Sequence, residues 1–351
     1  MKPQIVNQLN LVLIGAGHSQ IHVLKHFGMK PIEGLNIIII SDVLKTPYSG
    51  MVPGYIGGIW KKEEIFIDVL KLSNFAKANF IHTKVNYINT IKKTIYLEDH
   101  PPILYDILSI NTGSVPNTNL IKGANKYAIS VKPISKFIDK LTDDKNFFND
   151  FAIIGGGKAG IELAFALRKK SSILNFNNKI YLIEKNESFS KNKKVDNLIK
   201  KKFYENRVNY ILKSNIKSIE RNLINTNNKK IKAKYILIVT NANPPNWIKK
   251  LDLKKDSNGF IFTSNTLQTL SYPEIFSTGD VAITNRYLRE KSGVYSVKAG
   301  NILAKNIRAF ILNKKLQNWY PQKTALSIIS FSNGKALAEK GKFSSYLSIW
   351  F

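Results

Sequence analysis

One supersecondary unit is written twice in this chain: an apolar run, a glycine-rich turn, a helical stretch and a second apolar run. The first copy is LNLVLIGAGHSQIHVLKHF followed by LNIIIISD, and the second is FNDFAIIGGGKAGIELAFALRKK followed by KIYLIEK. Apolar runs of four to six residues without alternation, closed by glycine and joined through a helix, read as strands buried on both faces of a parallel sheet. The expected fold class is therefore α/β, with two Rossmann-like dinucleotide-binding domains.

Each glycine of such a turn has its own steric role. The first allows the tight turn, the second lets backbone approach a pyrophosphate, and the third lets the helix pack against the strand. Gly155, Gly157 and Gly160 fill all three places, with Lys158 and Ala159 between them. Glu184 stands at the end of KIYLIE, where an acid reaches a ribose diol. This half is expected to bind NAD(P)H. The carboxylate favours NADH, while Lys185 beside it is placed to receive a 2′-phosphate if the acid turns away. In the first copy Gly15, Ala16 and Gly17 open the turn, but Gln20 takes the third glycine's place, so helix and strand are expected to lie further apart or to pack differently. Ser41 and Asp42 follow IIII, and Asp42 is named as the ribose partner. His18, His22 and His26 share one helical face, yet no carboxylate or cysteine cluster accompanies them, so no metal is expected and His18 is assigned to the pyrophosphate turn.

Around these units, KTIYLEDHPPILYDILSINTGS predicts a small antiparallel meander leading into a sheet strand at Ile107 to Asn111. KPISKFIDKLTDD predicts a linking helix, the SKNKKVDNLIKKK run from Ser190 a helix with an exposed basic face, and VYSVKAGNILAKNIRAFILNKK a long helix. The second unit is expected as an insertion. The predicted division is 1–119 for the first part of one domain, 120–245 for the inserted NAD(P)H domain, 246–320 for the return, and 321–351 for a carboxy-terminal segment with strand-like alternation that looks truncated or interface-seeking.

The chain of 351 residues contains no cysteine, which excludes disulfides, thiolate metal sites and any electron path through a dithiol. Redox chemistry must then use a bound cofactor. A formal net charge of +29 would attract polyanions, but only six of the basic residues are arginine, the residue that bidentate phosphate and base recognition favour. No nucleic-acid partner is expected, and the charge is read as a lysine-rich surface, with weak attraction to an anionic membrane as the second reading. Neither an uninterrupted apolar run long enough to span a bilayer nor a signal-peptide core is evident near the start, so the expected location is cytoplasmic, with peripheral attachment at the inner face of the membrane as the variant.

With YDILSINTGS and the late IFSTGDVA, the chain resembles the FAD-dependent pyridine nucleotide-disulfide oxidoreductase superfamily, with a glutathione-reductase-like arrangement in which the NAD domain is inserted in the FAD domain. It resembles in particular the cysteine-free branch around type II NADH dehydrogenases. KTPYSGMVPGYIGG, IFIDVLKL and GVYSVKAGNILAKNIRAF are similar to the oxidoreductase module found fused ahead of selenide, water dikinase.

The resemblance implies that Gly15, Ala16 and Gly17 hold the FAD pyrophosphate, that Thr112 and Gly113 close over the cofactor, and that Gly279 and Asp280 bond the ribityl chain. Tyr48, Ser49, Gly50, Met51 and Pro53 would pass beside the isoalloxazine. Lys298 would approach the pyrimidine edge, with an exposed helix lysine as its other reading, and Tyr295 is a ring or quinone contact or else a core aromatic. Tyr48, Pro53 and Lys298 are the catalytic candidates. The pattern departs from the family at Asn241, where glycine is usual, and in lacking the quinone-side glutamines around Ala299 and Gly300. The implied activity is hydride transfer from NADH to flavin and then to a quinone or other small acceptor without a redox disulfide. Alternatives are a reductase partner for a separate selenide, water dikinase, and a non-catalytic nucleotide-sensing flavoprotein suggested by Gln20 and Asn241.

Overall fold

The computed structural model describes residues 8–141, 149–240, 242–284, 291, 293–322, 326–341 and 343–348. Asn241 and the last three residues of the aromatic carboxy-terminal run lie outside them. In chain order, the first glycine turn lies between β1 (Leu9–Ile14) and α1 (His18–Met29), followed by β2 (Leu35–Ser41), β3 (Asn79–His82) and β4 (Ile107–Ile110). After β5 (Ile129–Ser130) comes the second turn, between β6 (Phe151–Ile154) and α2 (Lys158–Ile173), then β7 (Ile180–Ile183), β8 (Asn209–Ile211) and β9 (Tyr235–Ile238). The chain continues through β10 (Ile275–Ser277) and α3 (Gly293–Ile311) to β11 (Ser327–Ser330), β12 (Lys335–Lys340) and β13 (Phe343–Ser348).

Two compact units result. The first comprises Met1–Thr46, Phe66–Val115 and Ala242–Lys323, and the second Pro47–Ile65, Pro116–Asn241 and Thr324–Phe351.

In the first unit a parallel sheet runs in the order β10–β4–β1–β2–β3. Side chains alternate across β1, and both faces are covered. Leu11 and Leu13 pack with Val23, Leu24 and Phe27 of α1 and Leu303 and Ile307 of α3. Val12 and Ile14 join Val85, Ile88 and Ile95 of the meander on the other face. This is why LNLVLI reads as continuous rather than alternating; each aliphatic side chain buried this way contributes about 1.5–3 kcal/mol. The expected meander forms from Val85–Asn89, Thr94–Leu97 and Ile103–Leu104, all antiparallel, and leads into β4.

The second unit holds the sheet β5–β9–β6–β7–β8, again parallel. One face packs Ala152, Ile154, Ile183 and Ile236 against Ile219, Ile224 and Ile231 of a three-stranded antiparallel sheet. The other side carries α2, whose Phe165 stacks on Phe203 at 4.9 Å and meets Phe331 edge-on at 4.9 Å. Phe203 lies on the helix Lys193–Glu205, where Val195, Ile199 and Phe203 are buried four residues apart and the lysines face outward. The linking helix forms over Ile134–Leu141.

The units divide differently from the boundaries read in the sequence. Residues 47–65, expected with the first domain, belong to the second unit, where Gly58 lies against Ile173 of α2. Residues 324–351, expected as a separate segment, also belong there: β11, β12 and β13 form an antiparallel sheet docked on α2 through Phe331 and Ser330.

Candidate functional site

In each turn the first glycine adopts a conformation and a position that a Cβ would not fit. In the first unit Gly15 takes φ +88°, and a Cβ there would lie 2.6 Å from the Asn111 carbonyl oxygen. Helix α1 begins at Gly17 in extended conformation with no side-chain cap and no acid in its first turn. The amino end of α1 thus turns the positive end of the helix dipole, without a competing acid, toward the turn. In the second unit Gly155 takes φ +116°, and a Cβ at Gly160 would lie 1.9 Å from the Gly155 carbonyl oxygen, so α2 rests directly on the turn. At Gly157 an added Cβ meets nothing within 4 Å. Gly157, Lys158 and Ala159 are exposed while Gly160 is buried, and α2 likewise starts with neither a side-chain cap nor an acid in its first turn. That open face is where backbone can meet a pyrophosphate.

Glu184 is held from two sides. Gly156 donates its N–H to Oε2 at 2.6 Å and Asn186 donates to Oε1 at 2.9 Å. The carboxylate is buried, and each oxygen retains a lone pair for a ribose hydroxyl. Lys185 next to it is exposed.

In the first unit the structure brings Gly15, Ala16, Gly17, His18, Thr112, Gly113, Gly279 and Asp280 together. Ser114 donates from Oγ to Asp280 Oδ2 at 3.2 Å, tying the Thr112–Ser114 loop to the late turn. Gly113 has φ +71° and open space at its missing Cβ, and Gly279 has φ +72°. Burial lowers the pKa of His18, and the nearby Asp280 carboxylate pulls in the opposite direction. Asp42 is exposed at the end of β2, where Ser41 closes a local turn by donating to the Val43 carbonyl at 3.1 Å. Ser49, Gly50 and Met51 form one turn of 3₁₀-helix after Tyr48, and Pro53 sits in the short helix Val52–Ile56. All five lie in the second unit. Lys298 is exposed on α3. Tyr295 donates its hydroxyl to the Gln322 carbonyl at 3.3 Å.

Gln20 resolves how α1 packs without a third glycine. Its side chain is fully buried and donates from Nε2 to the Ser109 carbonyl at 2.8 Å and to Ser109 Oγ at 3.0 Å, so an amide bridge to β4 fills the gap between helix and sheet. Ser19 beside it donates to the Ser296 carbonyl on α3 at 2.7 Å. Of the histidines, His22 packs on α3 where a Cβ at Gly300 would strike it at 2.6 Å, and burial lowers the pKa of both His22 and His26.

Two polar residues were not singled out by their sequence pattern. Glu162, two places after Gly160, accepts the Ser330 N–H at Oε1 at 3.0 Å, and burial pushes its carboxyl up to about 7 against that hydrogen bond. Asn111, part of NTGS, lies among Gly15, Gly17 and Gly279. Its place directly before the Thr-Gly pair was the available signal.

The residues present fit both dinucleotides: glycines where a Cβ would strike backbone or fill the open face, helix amino ends left uncapped, and a fixed acid for a ribose. This is the architecture of an FAD-dependent NAD(P)H oxidoreductase. The chain belongs to the pyridine nucleotide-disulphide oxidoreductase family, whose model matches residues 9–300. It is 23% identical over 281 residues to the NADH dehydrogenase-like protein YutJ of Bacillus subtilis (strain 168), covering 78% of this chain and 76% of that one. Among solved structures it is similar to NDH2 from Plasmodium falciparum in complex with NADH, with a TM-score of 0.80, 14% identity, and coverage of 97% of this chain and 91% of the other. It is similar also to the sulfide:quinone oxidoreductase of Aquifex aeolicus, with a TM-score of 0.75, 18% identity, and coverage of 97% and 87%. With no cysteine in the sequence, this member has no redox disulfide.

Proposed function

We propose that the protein oxidises NADH and delivers the electrons to a quinone or another small acceptor. The observation that carries the donor half is Glu184, fixed by Gly156 and Asn186 at the end of β7. Two accepted N–H bonds aim the carboxylate, so it accepts from a ribose 2′-hydroxyl and opposes a 2′-phosphate. Gly157 leaves the amino end of α2 open to the pyrophosphate, and Lys158 and Ala159 border the same face. In the first unit Gly15, Ala16, Gly17, His18, Thr112, Gly113, Gly279 and Asp280 hold the FAD, with Asp42 on the ribose; a neutral His18 adds no charge of its own beside the Asp280 carboxylate. Bound FAD supplies the hydride acceptance and onward electron delivery that no side chain here provides. Lys298 of α3 is proposed to border the ring.

A quinone acceptor is supported by the similarity to a sulfide:quinone oxidoreductase. Among the described residues no helix is long and apolar enough to cross a membrane, and attachment, where it occurs, is proposed to be peripheral and electrostatic, aided by the +29 charge. Anaerobic titration of the flavin-loaded protein with NADH and NADPH, then with quinones, tests the proposal. Bleaching by NADH followed by reoxidation by quinone is expected. A flavin that neither nucleotide bleaches overturns it and leaves a nucleotide-sensing flavoprotein. The selenium alternative rests on the KTPYSGMVPGYIGG resemblance and is tested by whether reduced protein supports selenophosphate formation by an added selenide, water dikinase.

A further inference from the structure

We propose that Asn111 is a positioning residue for the flavin dinucleotide, one side chain that sets both the pyrophosphate turn and the late Gly279–Asp280 turn. The inference rests on reading the first unit as the FAD domain.

Asn111 follows β4 and is 2% exposed. Its backbone N–H continues the sheet by donating to the Ile14 carbonyl at 2.9 Å, which fixes where the side chain starts. Nδ2 then donates to the Thr278 carbonyl at 2.7 Å and approaches Thr278 Oγ1 at 3.2 Å. Because only an N–H₂ group can satisfy that carbonyl, the amide has one orientation, and Oδ1 must face the other way.

What Oδ1 faces is Gly17. A Cβ there would lie 1.8 Å from Oδ1, one at Gly279 would lie 2.4 Å from Nδ2, and one at Gly15 would lie 2.6 Å from the Asn111 carbonyl. Three glycines from two distant turns are therefore fitted around one asparagine. Oδ1 itself is buried without a hydrogen-bond partner, and so is Oγ1 of the adjacent Thr112. Buried acceptors of this kind are rare and costly unless a donor reaches them in the functional state. Here they lie beside the amino end of α1, where hydroxyl groups of a bound dinucleotide would reach them as donors. Asn111 thus spaces the two turns and, with the Thr112 hydroxyl, places two unsatisfied polar atoms in the cradle between them.

The test is FAD binding to the apoprotein, followed by flavin fluorescence, for wild type, Asn111→Ala and Asn111→Asp. Losing the amide is expected to weaken FAD binding roughly ten- to a hundredfold, the range of one or two buried hydrogen bonds. Asn111→Asp adds a readout that packing alone would not move. An ionised carboxylate repels the Thr278 carbonyl, whereas the protonated acid donates to it as the amide does, so FAD affinity of this variant is expected to recover as pH falls while wild type stays flat. NADH binding to the second unit reports folding of each variant. If both variants bind FAD within twofold of wild type, or if the Asp variant shows no pH dependence, the inference is overturned. If wild-type apoprotein fails to bind FAD at all, it is the flavin reading that fails.

Discussion

Glu162 and Ser330 join two parts of the second unit that the sequence separates by 168 residues. The carboxylate sits one turn into α2, and the backbone N–H it accepts belongs to β11 of the carboxy-terminal sheet. Helix α2 is thereby fastened to the sheet of β11, β12 and β13.

Burial raises the Glu162 carboxyl from 4.5 to about 7. Between those values the folded protein binds a proton that the unfolded chain does not, so stability is greatest at low pH within the window and falls as pH rises toward about 7. The loss is at most about 3 kcal/mol. Glu162→Gln keeps an acceptor for Ser330 and should flatten this dependence. Urea unfolding from pH 5 to pH 8 measures it, and an unchanged slope in the variant would show that another group is responsible.

Gly157 and Gly160 should respond oppositely to the same methyl. Gly160→Ala drives a Cβ into the Gly155 carbonyl and is expected to cost about 1–3 kcal/mol of stability. Gly157→Ala meets nothing, so stability should hold within about 0.5 kcal/mol, while the methyl stands on the open face and raises KM for NADH on the order of tenfold, about 1.4 kcal/mol. Thermal melting and steady-state kinetics on both variants separate the outcomes; loss of stability without a KM effect in Gly157→Ala would place the nucleotide elsewhere.

Replacing Glu184 by Ala frees Gly156 and Asn186 and removes the charge that opposes a 2′-phosphate, while Lys185 stays exposed beside it. The ratio of kcat/KM for NADH over NADPH should fall roughly ten- to a hundredfold. A ratio that does not move would detach Glu184 from the ribose.

Arg168 of α2 is buried, and its Nη2 donates to the carbonyls of Asn178 at 2.6 Å and Arg207 at 3.2 Å. Arg168→Met leaves both carbonyls unpaired inside the protein and should destabilise it by about 2–4 kcal/mol. Denaturant midpoints check this, and an effect under 1 kcal/mol would mean that water replaces the guanidinium.

What could be read from the sequence was what depends on near neighbours. The turn at Gly155, the close packing at Gly160 and the place of Glu184 at the end of β7 are local to one βαβ unit, and so is the meander leading to β4. What escaped depends on pairs far apart in the chain. Asn111 takes its meaning from Thr278, 167 residues away, and Glu162 from Ser330. Gln20 was seen as a departure, but its solution, an amide bridge to Ser109, needed the position of β4. The placement of residues 47–65 was missed for the same reason, since a glycine-rich loop carries no periodic signal for the helix it will pack against.

The chain passes from one unit to the other at 46–47, 65–66, 115–116, 241–242 and 323–324, five times in all. No single cut yields either unit whole. A gene fragment encoding 116–241 alone would lack a loop from before it and a sheet from after it, so the second unit can be expressed or engineered whole only together with the rest of the chain.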